Sequence, residues 1–299
     1  MHDGPARGLS APPEGRTGWP WTCPSGEFPD RMPGGAPWPK ISVVTPSLNQ
    51  GRFIEEAIRS VLLQGYPDLE YIVMDGGSTD GSVDIIKKYG PFLSHFGAGP
   101  DGGQTDAIGK GFEKANGEIL TYLCSDDRYL PGAFERTARF FSRNPRIAFA
   151  NGDINYIDEE GRVTKRFFVS RPLRMVTANL GRHTWPQQSC FWRRWAYEKC
   201  GGMDASFAFA MDKDLFLRLT AAGSSKRIPG PPLGEFRLHG GSKTSTMMDV
   251  CQSESRALLE RDSDPFLRRF PRFLNAFYWA WQKPASIRMR VHKYFGLEY

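Results

Sequence analysis

The chain has 299 residues, is 40% apolar and carries 32 Gly, a composition in the ordinary globular range that excludes a fibrous or wholly disordered protein and leaves room for one enzyme-sized domain. No run approaches the roughly 18 consecutive apolar residues that span a bilayer, and no apolar signal segment opens the chain, so the sequence reads as cytoplasmic. The net charge of +6 resides wholly in residues 265–299, which hold seven Lys/Arg and a single Glu; a neutral body excludes nucleic acid as the partner of the folded domain.

Residues 1–39 contain nine Pro and seven Gly without apolar periodicity, and this leader is expected to be loosely ordered because it buries too little surface to offset chain entropy. Order is expected from Ile41-Ser-Val-Val-Thr45, a β-branched strand, followed by a helix with Phe53, Ile54, Ala57, Ile58, Val61 and Leu62 on one face. A second strand, Tyr71-Ile-Val-Met74, precedes a helix with Val83 and Ile86 that Gly90 terminates. A third helix carries Ala107, Ile108, Gly111, Phe112 and Ala115, and the next strand covers 119–123. This alternation predicts an α/β fold with a Rossmann-like, mostly parallel central sheet flanked by helices, since parallel neighbours need a crossover. Beyond Asp127 the pattern predicts a helix over 131–144, a strand over 147–150, a small hairpin from Asn155-Tyr-Ile-Asp158 and residues 162–169, and an amphipathic helix around 214–219. Five scattered cysteines, with neither a CxxC pair nor metal-ligand spacing, predict reduced thiols.

In an open parallel sheet, ligands lie beyond the carboxyl ends of the strands. The first strand here runs into Thr45-Pro46-Ser47-Leu48-Asn49, the second into Asp75-Gly-Gly-Ser78-Thr79-Asp80-Gly-Ser82, and the third into Cys124-Ser125-Asp126-Asp127. Neither GxGxxG nor GxxxxGK[ST] is present, which excludes the dinucleotide fingerprint and the P-loop. Carboxylates at Asp126 and Asp127 would repel a phosphorylated ligand, which implies an intervening hard cation, Mn²⁺ or Mg²⁺.

Together with Asp101-Gly-Gly-Gln-Thr-Asp106-Ala-Ile-Gly-Lys110-Gly and Ala210-Met-Asp212-Lys-Asp214-Leu-Phe-Leu-Arg218, these motifs resemble a family-2 glycosyltransferase of the GT-A fold over residues 41 to about 239. The resemblance implies an inverting, metal-dependent enzyme that moves a sugar from a UDP- or other nucleotide-sugar donor to a glycan or lipid-linked acceptor in cell-surface polysaccharide biosynthesis. It implies a donor site of Thr45, Pro46, Asn49, Asp75, Ser78, Asp101, Lys110, Ser125 and Asp126, with Asp75 reading the base. The metal would be held by Asp126 in a DxD-like motif, with Asp127 or His239 beside it. The family's catalytic base falls on Asp212 and its acceptor-side segment on Gln187, Gln188 and Trp192. Residues 40–245 are thus expected to form the catalytic domain, with a nucleotide-sugar half (40–130) and an acceptor half (131–245), and residues 246–299 a basic, aromatic-rich helical tail.

Two positions depart from the family pattern. Cys124 stands where Asp or Asn is common, and a soft thiol is a poor ligand for Mn²⁺ or Mg²⁺; Met211 stands where Glu often precedes the base. Both leave open a catalytically silent module that binds a nucleotide-sugar or glycan. Structural readings also stand beside the functional ones: Asp75 as a turn residue, Asp126 and Asp127 as caps of the following helix, Asp212 and Asp214 as first-turn helix carboxylates, Gln187 and Gln188 as packing residues. In the tail, Phe266, Phe270, Phe273, Phe277, Tyr278 and Trp281 interleave with Arg268, Arg269 and Arg272, which suits either peripheral contact with an anionic membrane at the inner face of the cell or a helix docked on the catalytic domain.

Overall fold

The computed structural model describes residues 8–26, 28–170, 172, 174–181 and 185–294; the ends of the expected leader and tail, 1–7 and 295–299, lie outside these. Its strands are β1 (Ile41–Ser47), β2 (Leu69–Asp75), β3 (His95–Ala98), β4 (Ile119–Tyr122), β5 (Arg128–Tyr129), β6 (Ile147–Asn151), β7 (Ile154–Ile157), β8 (Val163–Phe167), β9 (Phe191–Arg193), β10 (Ser224–Arg227) and β11 (Gly234–Arg237). The helices are α1 (Ile54–Leu62), α2 (Ser82–Lys88), α3 (Gln104–Lys114), α4 (Ala133–Arg143), α5 (Arg174–Leu180), α6 (Arg194–Lys199), α7 (Met211–Ala222), α8 (Lys243–Thr246), α9 (Met248–Asp262) and α10 (Pro271–Tyr294). Among the described residues a seven-stranded sheet runs in the order β10-β6-β9-β4-β1-β2-β3, parallel except at β9, and a small sheet runs β5-β11-β7-β8. The expected hairpin is the antiparallel pair β7 and β8.

Every residue of β1 is buried, as expected of a central strand covered on both faces. Its alternation feeds two cores: Ile41 and Val43 join Ile54, Ile58, Tyr66 and Phe134 on one face, while Val44 joins Ile108, Phe112, Phe149, Trp192 and Phe216 on the other. α3 packs on β1 and β2 through Gly111, where a Cβ would lie 2.4 Å from Val44 Cγ1, so only glycine permits the approach. The chain steps from β1 to β2 to β3 in one direction and then returns to place β4 on the other side of β1. That reversal is where a doubly wound sheet opens a crevice at its carboxyl edge.

The leader corrects its expectation. Among the described residues of 8–39 there is neither helix nor strand, as the Pro and Gly content dictates, yet Trp21, Met32 and Trp38 are buried. Trp38 packs edge-on to Phe28 and Tyr66, and the buried Arg59 guanidinium donates to the carbonyls of Ser10, Pro20 and Trp21. A few large anchors outweigh an average composition, because aromatic burial is worth more per residue than the rest of the segment forfeits.

The tail is likewise in contact with the body. α9 and α10 both pack on α5, with Leu258 and Leu274 buried, and Ser170 Oγ donates to Gln282 Oε1 at 2.8 Å. The composition change near residue 246 therefore marks no break in packing. The opposite face of α10 and the turn before it expose Phe266, Phe270, Phe273 and Trp279. Among the described residues no helix is long and apolar enough to cross a membrane.

Candidate active site

The carboxyl ends of β1, β2 and β4 meet at the crevice. Thr45 is buried in β1 beside Pro46, with its Oγ1 3.0 Å from the Tyr71 hydroxyl. Asn49, in the left-handed region at φ 52°, ties the first loop to the second: its N–H donates to Ser78 Oγ at 2.7 Å, and its Oδ1 accepts from Thr79 N–H at 2.9 Å. Asp75 is buried and knots its own loop, accepting from the N–H groups of Gly77 and Ser78 and from the Ser78 hydroxyl at 2.7 Å. The turn reading of Asp75 thus holds in the folded chain, whereas the cap of α2 comes from Asp80, which accepts from Ser82 N–H and Oγ. Asp101 accepts from Gly103 N–H and lies so near Gly76 that a Cβ there would sit 2.9 Å from its Oδ2. Lys110 points to Asp106 on its own helix at 2.6 Å.

At the end of β4, Cys124, Asp126 and Asp127 bring potential ligand atoms within 4.8 Å of one another. Their surroundings separate them. Asp127 is buried, and its oxygens accept from Gln188 Nε2 at 2.7 Å and from Arg237 N–H at 2.9 Å; burial and the neighbouring Asp126 charge push its carboxyl well above the usual range. Both oxygens are engaged by protein, which suits a residue that shapes the turn. Cys124 accepts from Gln104 Nε2 at 3.2 Å, and burial, with the charges of Asp127, Asp126 and Asp212, pushes its thiol well above its ordinary value. A neutral thiol is no hard-cation ligand. Asp126 instead faces His239, Oδ2 to Nε2 at 3.0 Å, with the His239 ring against Phe53 at 4.9 Å. A carboxylate paired with an imidazole fits Mn²⁺, and the two residues come from segments 113 positions apart that only the fold brings together.

Three acceptor-side expectations change. Trp192 is completely buried among Phe112, Tyr122 and Phe216, so it is a core residue and cannot touch an acceptor. Gln187 donates to the Tyr122 carbonyl and Gln188 to Asp127, which places both beneath the crevice as packing and hydrogen-bonding supports. Ser125 is buried in the same turn.

Asp212 occupies the first turn of α7, its Oδ1 accepting from Lys213 N–H. Its charge acts on Tyr122 and Cys124 at the end of β4. Asp214 is fully buried and ion-paired to Arg218 and to Arg261 at 2.7 Å, a structural role as expected. Arg237 is a functional residue that the sequence reading does not single out, although it stands two positions before His239. Its buried guanidinium donates to the carbonyls of Asp126, Asp158 and Glu159 and to Glu56, holding the turn that carries Asp126 against the end of β11, two residues before His239. Gln104, within the quoted Asp101 motif, is a second such support.

The model of glycosyl transferase family 2 matches residues 42–202, more than half of the chain. The chain belongs to glycosyl transferase family 2. Within this family it is 31% identical over 183 residues to an uncharacterised glycosyltransferase of Mycobacterium tuberculosis, covering 60% of this chain and 68% of that protein. It is 32% identical over 139 residues to the GalNAc(5)-diNAcBac-PP-undecaprenol β-1,3-glucosyltransferase of Campylobacter jejuni, covering 43% of this chain and 42% of that one. Its fold matches that of S. aureus TarS 1–349 in complex with UDP-GlcNAc at a TM-score of 0.58, with 16% identity over 77% of this chain and 72% of that one. The mannosyltransferase PcManGT from Pyrobaculum calidifontis, in complex with GDP-Man and Mn²⁺, gives 0.57 with 18% identity, covering 87% and 81%. The protein is a GT-A glycosyltransferase, and Asp212 and His239 lie beyond the segment that the family model matches.

Proposed function

We propose that this glycosyltransferase is metal-dependent and inverting, taking a UDP- or GDP-linked sugar to a glycan or lipid-linked acceptor of a cell-surface polysaccharide. The observation that carries the reading is the convergence of Asp126, with His239, and Asp212 on the space around Cys124 at the end of β4. Asp126 and His239 would hold the cation, which when bound supplies positive charge for the departing diphosphate. Asp212 accepts the proton of the acceptor hydroxyl, since a sugar alcohol is a poor nucleophile until that proton leaves. A base on one side of the anomeric carbon and the diphosphate on the other is the arrangement of a single in-line displacement, and hence of inversion. Hydrogen bonds cross-link the loops around Asn49 and Asp75, and Asp101 lies close against Gly76, which preorganises the wall that a nucleotide would meet.

The nucleotides in TarS and PcManGT, and the polyprenyl diphosphate in the name of the C. jejuni relative, support the donor and acceptor classes. A lipid-linked acceptor also suits the tail, whose docked face leaves Phe273 and Trp279 more than 60% exposed next to the exposed Arg268, Arg269 and Arg272. We take this face as a peripheral contact with anionic lipid. Calorimetric titration of UDP and GDP with and without Mn²⁺ tests the metal reading: one nucleotide should bind more tightly with the metal in the wild type and lose that response in Asp126→Ala. Equal affinity with and without Mn²⁺ would refute it.

A further inference from the structure

We infer that Glu254 is a positioning residue for the transfer reaction, holding the base-bearing start of α7 from a helix that the sequence assigns to the tail; this rests on the reading of Asp212 as the base. Glu254 Oε1 accepts from the N–H of Ala208 at 2.8 Å, and its Oε2 accepts from Phe209 at 2.9 Å and Ala210 at 2.7 Å. These three residues lead directly into α7, whose start has no side-chain cap of its own. One carboxylate thus satisfies three successive backbone donors by charge-assisted hydrogen bonds. Lys243 Nζ holds the same turn from its other side, donating to the Ala208 carbonyl at 2.7 Å. Seven residues beyond Glu254, two turns along α9 and so on the same face, Arg261 reaches Asp214 at 2.7 Å. α9 therefore grips α7 at two points that bracket Asp212.

The consequence for Asp212 is positional: it lies two residues beyond the last donor that Glu254 holds, so the path of the chain into the first turn of α7, which carries Asp212, is fixed from α9. The other groups acting with Asp212 are Lys213 on its own helix, Tyr122 and Cys124 at the end of β4, Cys190 before β9, and Lys243 in α8.

The test uses the full chain as wild type, Glu254→Gln, Glu254→Asp and Asp212→Asn. Nucleoside diphosphate release from UDP-glucose, UDP-GlcNAc and GDP-mannose with Mn²⁺ follows turnover, and calorimetric titration of UDP and GDP follows the donor site. In Glu254→Gln release should fall roughly tenfold to hundredfold while UDP or GDP affinity is unchanged. Glu254→Asp retains the carboxylate and should recover part of that loss. Release within twofold of wild type in Glu254→Gln, equal losses of release and nucleotide affinity, or no recovery in Glu254→Asp would each overturn the inference. Asp212→Asn separates the two ideas: if it abolishes release while Glu254→Gln does not, Glu254 alone is rejected, and if it retains release the base is rejected along with it.

Discussion

Replacing Arg237 by Met removes a guanidinium that is 1% exposed, and with it the donors to three carbonyls and to Glu56 Oε2 at 2.6 Å. Breaking a buried ion pair from one side costs about 3–5 kcal/mol, because the remaining charge stays buried. Glu56 keeps Arg128 as a second partner, so the lower end applies, about 3 kcal/mol. At roughly 2–4 °C per kcal/mol for a domain of this size class, the melting temperature should fall by about 6–12 °C. The comparison variant is Arg52→Met, which breaks the Arg52–Glu159 pair at a side chain that is 59% exposed and should cost no more than about 1 kcal/mol. Circular dichroism melts of the three proteins, with UDP or GDP titrations in Mn²⁺, read both outcomes. Arg237→Met should also weaken the metal response, since the Asp126 carbonyl and the strand leading to His239 lose their common tie. A melting temperature within 2 °C of wild type, or equal shifts for the two variants, would refute the reasoning.

Cys124→Ser should leave the Mn²⁺ response of nucleotide binding intact in calorimetry, whereas His239→Ala should weaken it; the reverse would make the thiol a ligand. Trp192→Ala should behave as a core deletion, losing about 3–5 kcal/mol in denaturant melts without a specific change in acceptor KM. Burial raises the Glu70 carboxyl, but hydrogen bonds from Ser42, Asn116 N–H and Asn116 Nδ2 outweigh it and hold the pKa below its ordinary 4.5. A lowered native pKa means stability that is present above 4.5 and lost as pH falls through the native value, so the stability gap between wild type and Glu70→Gln should be full at neutral pH and close in acid; a gap independent of pH would contradict this. The double variant Phe273→Ser, Trp279→Ser should sediment less with anionic liposomes at the same melting temperature, and unchanged sedimentation would remove the membrane contact.

The sheet was legible because β1 and β2 are short β-branched runs spaced by amphipathic helices, and the polar loops after them announced the crevice. What composition could not report was the weight of single anchors: Trp21 and Trp38 pull an otherwise unpatterned leader onto the core. Local sequence also could not tell which of two adjacent aspartates faces the crevice. Asp126 and Asp127 differ only by tertiary partners, His239 for one, Gln188 and Arg237 for the other. Trp192 followed two glutamines in a segment aligned with acceptor contacts, yet strand alternation in β9 turns it into the second core. Glu254 had no local signal, because its three donors lie 44 to 46 residues earlier in the chain.

The central claim is that Asp212 removes the acceptor proton opposite a metal held by Asp126. Nucleoside diphosphate release from a panel of UDP- and GDP-sugars with Mn²⁺, measured for wild type and for Asp212→Asn, addresses it most directly. The isosteric amide should bind the nucleotide as wild type does while turnover falls by roughly two to four orders of magnitude. Turnover within tenfold of wild type would contradict the account and move the base elsewhere in the crevice.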